Sequence, residues 1–400
     1  MEFHSFWSGP ILALCRAPTH SGATRDVTGT RAAESQTMGI LLAGAHPWTN
    51  SAIDSLMPRT LLPVAHRPMI WYGLSWLQAE GVREVAVCGN RETHLLKARL
   101  QRYVPRGLSV SYHEDPMPRG AAGSAADAAS TSDADTFVVA EGTLIPNVNL
   151  HELLARHHAS NACVTVVVHS AAESNGHGAR RAPSGIYVFS RRAFETVPAR
   201  GFCDIKEELI PRLYAAGERV IAFDAPEETP RVLDSSTYMA VNEWIVDRLV
   251  RGDEEREGYV QRGDALIHRD AFVADDAAII GPVLIGPGAR ILSRAVVIGP
   301  TSIGREATVE NGAMVSRSAI WRRSIVGEGA TADRCVVGDD VIVEAGAHLL
   351  QRVLTPALNT EVELDWVEAQ VARRASEPAL GVGARLGRLV FGWPRSAAAQ

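Results

Sequence analysis

The 400-residue sequence has very little lysine, few aromatic residues and no long apolar run. Its 40 basic residues include only two lysines, Lys97 and Lys206, and aromatic residues make up 6% of the chain. With 46 acidic residues the formal net charge is −6, which provides no general positive field, so nucleic-acid binding is not expected. No apolar run approaches the roughly 18 to 20 residues that cross a bilayer, so no transmembrane segment is predicted.

Cysteine usage argues against a disulfide framework and against a zinc cage. The five cysteines are scattered, odd in number and never spaced as Cys-x-x-Cys. Isolated thiols are typical of a reducing compartment, so the pattern favours a cytoplasmic location. The cysteines are Cys15, Cys88, Cys163, Cys203 and Cys335.

The first 37 residues carry no convincing structural signal. An apolar patch at 10–15 has no basic residue before it, unlike a secretory signal peptide. Met38 stands immediately before a strand-like apolar segment at 39–44. We therefore interpret residues 1–37 as a disordered extension or a mis-assigned start, and we place the first domain at 38–250.

Within 38–250, strand-like and helix-like segments alternate. This alternation predicts a mostly parallel sheet covered by helices. Ligands of such sheets bind at the carboxyl ends of the strands, where Gly44, Gly89 and Gly142 fall. The predicted strands lie at 40–43, 84–88, 108–112, 136–140 and 163–168.

Residues 263–350 follow a six-residue period that predicts a different fold. Aliphatic side chains recur every six residues, and a mostly small residue follows each of them by four positions. Such a period is typical of a solenoid, because each repeat buries its inward face only by stacking on the next. Three hexads per coil predict a left-handed parallel β-helix, with a slip in register after Trp321. The aliphatic positions are Val273, Ile279, Ile285, Ile291, Val297, Ile303, Val309 and Val315.

Residues 351–400 are predicted to form a C-terminal cap or tail. The segment 364–375 fits a capping helix, and 381–393 mixes arginine with apolar residues. A cap or tail is the simpler interpretation of this composition. A helix that binds a membrane surface or a partner is the alternative.

Several short motifs occur in an order and spacing that resemble one enzyme family, the sugar-1-phosphate nucleotidyltransferases. The resemblance is closest to members of the mannose-1-phosphate guanylyltransferase type that carry a C-terminal β-helix. It implies an α/β protein with a Rossmann-like nucleotidyltransferase domain followed by a left-handed parallel β-helix of hexapeptide repeats. The motifs are Ile-Leu-Leu-Ala-Gly at 40–44, Pro-Arg-Thr-Leu-Leu-Pro-Val at 58–64, Gly-Ala-Ala-Gly at 120–123, Ser-Gly-Ile-Tyr-Val-Phe at 184–189, Asp-Ile at 204–205, Leu-Ile-Pro at 209–211, Tyr238 and Asn242.

The family's phosphate-binding loop is only partly kept. In this family a sugar phosphate attacks the α-phosphate of a nucleoside triphosphate, and pyrophosphate leaves. The resemblance implies nucleotide contacts at Gly44 and Ala45, but Pro47 and Trp48 stand where a glycine and a threonine are usual. Proline lacks an amide proton and tryptophan is bulky, so the loop is poorly suited to wrapping phosphates. Arg59 stands in place of the family's lysine and is the candidate catalytic cation.

The family's magnesium ligands are replaced in this sequence. The two aspartate positions are occupied by Thr143 and Arg231. Glu141 and Asp234 lie close to these positions in the sequence and are the candidate substitutes. Magnesium is therefore expected only if the chain is an active enzyme, and otherwise no metal or other cofactor is expected.

The resemblance also implies a nucleotide-binding turn at Gly120 and Gly123 and a sugar contact at Gly185. A tight turn into the following alanine-rich helix explains the first two glycines equally well. The family's Glu-Lys-Pro loop, which contacts sugar and phosphate, has no counterpart between Val168 and Ser184.

These replacements favour a catalytically impaired or silent homologue that binds a nucleotide or nucleotide sugar, or regulates an active paralogue. The alternative is an active sugar-1-phosphate nucleotidyltransferase that uses Glu141, Asp234, Arg59 and Arg231 in rearranged roles. A hexapeptide-repeat acyltransferase is a further alternative. It is a minor one, because such enzymes use a histidine base and residues 271–347 contain no histidine. By resemblance, the chain is expected to form a homo-oligomer, or a hetero-oligomer with an active paralogue.

Overall fold

A computed structural model describes residues 36–44, 53, 57–115, 117–171, 180–252, 257–356 and 358–363. The predictions for 1–35 and for 364–400, including the capping helix, lie outside the described residues. The chain divides into two compact units. The described residues of Cys15–Gly44 and Gly73–Thr229 form the first, and those of Ala45–Tyr72 and Pro230–Gln370 form the second. The domain boundaries at 250 and 263 stay a prediction.

The first unit contains a seven-stranded sheet that confirms the predicted α/β class. The strands up to residue 224 are β1 (Thr37–Leu42), β2 (Pro63–Val64), β3 (Arg67–Pro68), β4 (Glu84–Asn90), β5 (Ser109–Asp115), β6 (Thr136–Glu141), β7 (Val164–Ala171), β8 (Arg180–Ser190) and β9 (Val220–Asp224). β2 and β3 form a separate hairpin, and the others are arranged in the order β5-β4-β1-β6-β8-β7-β9. β8 runs antiparallel to both neighbours, whereas all other neighbours are parallel.

Helices alternate with the strands, as the sequence predicts. No helix in the part of the chain that the structure describes is long and apolar enough to cross a membrane. The α-helices are α1 (Met69–Ala79), α2 (His94–Arg99), α3 (Gly120–Ala129), α4 (Leu150–Ala159), α5 (Arg191–Phe194), α6 (Ile210–Ala215) and α7 (Ser235–Arg251). Tighter or wider single turns lie at Arg59–Leu61, Arg91–Thr93, Leu100–Tyr103 and Ile205–Leu209.

The central strands are apolar along their whole length because helices cover both faces of the sheet. Ile40, Phe137 and Val139 are fully buried in one core cluster. Helix α3 contributes alanines such as Ala122 and Ala125 to the same cluster, so its backbone lies close to the sheet. This buried core fixes the register of β1 and β6, whose ends form the edge described below.

The β2–β3 hairpin belongs to the second unit and is fastened by helix α7. The Asn242 side-chain oxygen accepts a hydrogen bond from the Ala65 amide at 3.0 Å. The Tyr238 hydroxyl donates to the Pro63 carbonyl at 2.6 Å and accepts from Trp321 Nε1 at 2.8 Å. Burial raises the pKa of Tyr238, which keeps this hydroxyl protonated as a donor. Tyr238 and Asn242, two carriers of the family resemblance, therefore stabilise the fold.

From Ala265 to Thr355 the second unit forms a parallel β-helix, and the strands Tyr259–Arg262 and Leu358–Glu363 pair antiparallel with its first and last strands. Each coil places one short strand in each of three sheets, as predicted from the hexads. Six of the eight predicted aliphatic positions, Ile285 to Val315, are fully buried, and the first two pack against the same core. The left-handed sense of the coil stays a prediction. The strands are β10 (Tyr259–Arg262), β11 (Ala265–His268), β12 (Phe272–Val273), β13 (Ala278–Ile280), β14 (Val283–Ile285), β15 (Arg290–Ile291), β16 (Val296–Ile298), β17 (Thr301–Ile303), β18 (Thr308–Val309), β19 (Met314–Ser316), β20 (Ala319–Ile320), β21 (Ile325–Val326), β22 (Thr331–Asp333), β23 (Val336–Val337), β24 (Ile342–Val343), β25 (His348–Leu350), β26 (Arg352–Thr355) and β27 (Leu358–Glu363).

The register slips at two corners of the β-helix, one before Trp321 and one after it. Val297 pairs with Val315, 18 positions on, but Ile303 pairs with Ile320, only 17 positions on, so one residue is missing at the corner between β19 and β20. The inward row passes from Ala332 to Val337 in five positions, so a second residue is missing between β22 and β23, after Trp321 as predicted. The aliphatic row stays inward because the shortened part is a turn and the strands keep their alternation.

His157 links helix α4 to the sheet and is fully buried, although the adjacent His158 is exposed. Its Nδ1 lies 2.8 Å from the Thr165 hydroxyl and its Nε2 lies 3.1 Å from the Ser190 hydroxyl. Burial, together with the nearby charges of His158 and Arg192, lowers the pKa of His157 to about 4.

We predict that His157 makes the protein less stable as the pH falls. Between about pH 6.5 and pH 4 the unfolded chain binds a proton at His157 that the folded chain does not, so stability drops through this window. The expected loss at pH 4.5 is about 2 to 3 kcal/mol. Denaturant unfolding at pH 7 and pH 4.5 measures it. The loss should shrink by that amount in His157→Gln and stay unchanged in the control His151→Gln, which changes an exposed histidine of the same helix; equal pH dependence in all three proteins contradicts the assignment.

We also predict that Tyr238→Phe destabilises the protein by about 3 kcal/mol, because it leaves the Pro63 carbonyl and the Trp321 N–H buried without their partner. Tyr72→Phe removes a single bond to the Val64 carbonyl and should cost about 1 kcal/mol. The free energy of unfolding of both variants measures the difference. A Tyr238→Phe/Trp321→Phe double variant should lose less than the sum of the two single changes, and strict additivity would count against the hydrogen-bond chain.

Candidate functional site

Three parallel strands of the first unit end side by side and form the edge where ligands of such sheets bind. Leu42 of β1 lies opposite Cys88 of β4 and Glu141 of β6. Beyond the strands, the Ala43 amide donates to the Cys88 carbonyl at 2.7 Å, and the Gly142 amide donates to the Leu42 carbonyl at 2.8 Å. We call this region the carboxyl edge.

The backbone at Gly44, just beyond the carboxyl edge, has space around it. A Cβ built on Gly44 would lie 3.5 Å from the Asn90 side chain, an ordinary contact. Packing therefore does not demand glycine here, in contrast to Gly89, where a Cβ would lie 2.1 Å from the Tyr112 hydroxyl. Ala45, the second predicted nucleotide contact, lies outside the described residues, and the nucleotide-binding role of both residues stays a prediction.

Gly120 and Gly123 have structural reasons to be glycine. Gly120 has φ +73°, and its Cβ would lie 2.5 Å from the Cys203 carbonyl oxygen. That oxygen accepts hydrogen bonds from the amides of Ala122 at 3.0 Å and Gly123 at 3.4 Å. A Cβ on Gly123 would meet the Arg119 side chain at 2.9 Å. The turn is thus built to bind the Cys203 backbone, and its contact with a nucleotide stays a prediction.

Glu141 ends β6 at the carboxyl edge and forms an ion pair. Its Oε1 lies 3.5 Å from Lys206 Nζ, and both side chains are partly exposed. Thr143, which replaces a family aspartate, follows two residues later and is half-buried. The carboxylate available at this edge is therefore already engaged by a cation of the chain itself.

Lys206 reaches this position because two backbone anchors hold the segment before it. The Cys203 amide donates to the Arg119 carbonyl at 2.8 Å. The Asp204 carboxylate accepts from the amides of Lys206 at 2.7 Å and Glu207 at 3.0 Å. Sequence reasoning missed Lys206, although its rarity was a signal: it is one of only two lysines in 400 residues.

Asp234 lies in the second unit and is committed to the start of helix α7. Its Oδ1 accepts from the Thr237 amide at 2.8 Å and from the hydroxyls of Ser236 at 2.9 Å and Thr237 at 2.8 Å. Burial raises the pKa of Asp234, but these hydrogen bonds outweigh burial and lower it overall. The carboxylate is charged, but its Oδ1 already accepts the hydrogen bonds that cap helix α7.

The remaining predicted residues lie in ordinary backbone settings. Arg59 begins a tight turn at Arg59–Leu61 in the second unit and is half-buried. Arg231, at the other family aspartate position, lies in the same unit and is half-buried. Gly185 has φ +88° at a bulge where β7 and β8 shift register, so glycine suits the backbone there. The catalytic role of Arg59 and the sugar contact at Gly185 stay predictions.

Each of the two candidate carboxylates already has a partner within its own unit. Glu141 contacts a lysine ammonium and Asp234 caps a helix. Among the described ranges, no group of three or more His, Cys, Asp and Glu side chains is arranged to hold a metal ion.

Comparison with known proteins agrees with the geometry of both units. A family model described as nucleotidyl transferase matches residues 51–185. A second model, described as the GMPPB C-terminal domain, matches residues 262–369, which include most of the β-helix.

Individual relatives of the chain carry names from one enzyme class. A mannose-1-phosphate guanylyltransferase of Mycobacterium tuberculosis is 24% identical over 64% of this chain and 77% of its own length. Mannose-1-phosphate guanyltransferases of Candida albicans and Eremothecium gossypii are 26% and 23% identical, over 75% and 76% of this chain and 85% and 92% of their own lengths. The chain is therefore similar to the sugar-1-phosphate nucleotidyltransferases, and in particular to mannose-1-phosphate guanylyltransferases.

Proposed function

We propose that the chain binds a nucleotide sugar, or the nucleotide and sugar phosphate that form one, and transfers nucleotidyl groups at a strongly reduced rate. The observation that carries this proposal is the engagement of two carboxylates. Glu141 pairs with Lys206, and Asp234 caps helix α7. These are the candidate substitutes for the family's aspartates, and each already contacts another group of the chain.

The chemistry of the family explains why this loss matters. A sugar phosphate oxygen attacks the α-phosphorus while the bond to pyrophosphate breaks, and negative charge builds on the phosphate oxygens. Removal of one group that stabilises such charge typically lowers the rate about 100- to 1000-fold. Thr143 and Arg231 stand in place of two such groups, although losses within one site do not simply add.

Binding makes smaller demands than transfer. The uncrowded backbone at Gly44 leaves space beside the carboxyl edge, and Lys206 supplies a partly exposed positive charge there. A diphosphate is attracted by such a charge in its ground state, whether or not a reaction follows.

An active guanylyltransferase is the second candidate function. The names of the relatives favour it, since they align over up to three quarters of this chain. In this case an incoming cation would displace Lys206 from Glu141, a partly exposed pair.

The biological setting is also part of the proposal. A homo-oligomer, or a regulatory hetero-oligomer with an active paralogue, is supported by resemblance to the family. A cytoplasmic location is supported by the scattered cysteines.

We predict that the purified chain releases pyrophosphate at least about 100-fold more slowly than the Candida albicans relative assayed in parallel. The assay contains Mg²⁺, mannose 1-phosphate and GTP, and then a panel of other sugar phosphates and triphosphates. Release within tenfold of the relative, abolished by Glu141→Ala but not by the control Glu207→Ala, would overturn the proposal in favour of the active enzyme. Glu207 is a suitable control because it is exposed and lies next to Lys206.

A further inference from the structure

Lys206 is held rigidly at its backbone, close to the glycine turn. The Cys203 carbonyl accepts from the Ala122 and Gly123 amides, and the Asp204 carboxylate caps the turn that contains Lys206. The point from which the lysine side chain extends is therefore fixed relative to helix α3. From there the ammonium reaches the end of β6, where it lies 3.5 Å from Glu141 Oε1.

Stability alone does not explain this ion pair. The exposed fractions of the Lys206 and Glu141 side chains are 37% and 27%, so water screens their attraction. Exposed pairs contribute about 1 kcal/mol or less. The sequence nevertheless uses arginine for nearly every other basic position, and arginine would serve an exposed pair equally well.

An ammonium group suits a shared position between a carboxylate and a phosphate. Lysine presents three hydrogen-bond donors on a flexible stem, so it can hold Glu141 with one and a phosphate oxygen with another. Glu141 alone would repel a diphosphate at the carboxyl edge. The lysine removes this repulsion without any metal ion.

We infer that Lys206 is a built-in cation of the ligand site: it takes the charge-neutralising place beside Glu141 and binds the diphosphate of a nucleotide sugar without Mg²⁺. This inference rests on the proposed function and names the residue that makes binding possible. It also assigns Glu141 a positioning role, since the carboxylate orients the ammonium.

The scarcity of lysine provides a direct spectroscopic test. Reductive methylation with ¹³C-formaldehyde labels Lys206, Lys97 and the terminal amine while keeping their charge, and Lys206→Arg and Lys97→Arg assign the signals. Lys97 is a matched control because it also pairs with a glutamate, Glu114 at 2.6 Å, in the same unit. Titration with GDP-mannose in EDTA should shift the Lys206 signal and leave the Lys97 signal in place.

Affinity measurements on unlabelled full-length protein complete the test. The wild-type dissociation constant for GDP-mannose should agree within about threefold in EDTA and in Mg²⁺. Lys206→Ala should weaken binding about 10- to 100-fold, the usual effect of losing a charge-assisted hydrogen bond, while Lys206→Arg, which keeps the charge on a planar group, should weaken it less and Lys97→Ala should not weaken it. Intermediate binding by Lys206→Arg separates lost charge from lost folding.

Two outcomes would overturn different claims. Wild-type binding that requires Mg²⁺, or that is unchanged in Lys206→Ala, refutes the role of Lys206 and leaves the proposed function standing. If neither lysine signal moves and no affinity is measured with GDP-mannose, UDP-glucose or dTDP-glucose, the proposed function fails and the inference fails with it.

Discussion

The parallel pairing of β1 with β4 on one side and β6 on the other is the constraint on which the candidate site depends. Leu42 lies opposite both Cys88 and Glu141, so three strands end at one edge. Both faces of these strands are buried, so a slip of one residue would exchange the side chains that pack on the two faces and disrupt the packing of both. The place of Glu141 is therefore set by the core of the unit and not by the loop that follows it.

Much of the fold follows from the sequence because its signals are periodic. The six-residue spacing predicts the inward rows of the β-helix residue by residue, as the full burial of Ile285 and Val297 confirms. The slip after Trp321 is confirmed, but the sequence does not predict the one before it, because that missing residue lies in a turn, where side-chain periodicity gives no information; only the pairing of Ile303 with Ile320 locates it. The burial of His157 could not be predicted, because its contacts, Thr165 and Ser190, lie on strands later in the chain.

The candidate site is less predictable because its parts come from distant segments. Glu141 could be named from sequence, since it ends a predicted strand. Lys206 could not, because a carbonyl and a carboxylate, those of Cys203 and Asp204, fix its backbone. Such tertiary hydrogen bonds leave no periodic pattern. Gly120 shows the reverse case: the family resemblance implies a ligand contact, while its positive φ and its close approach to Cys203 already require glycine.

The proposed exchange of a metal ion for Lys206 would change binding and catalysis unequally. A divalent cation brings two positive charges and adjusts its contacts as charge moves between phosphate oxygens. The ammonium of Lys206 brings one charge on a side chain that also contacts Glu141. Both attract a diphosphate in the ground state, but only interactions that strengthen in the transition state increase the rate. The attraction between a shared, singly charged group and the phosphate oxygens increases little as charge accumulates on the leaving pyrophosphate. The proposed slow transfer and the proposed binding of a nucleotide sugar would therefore both follow from the same substitution at the carboxyl edge.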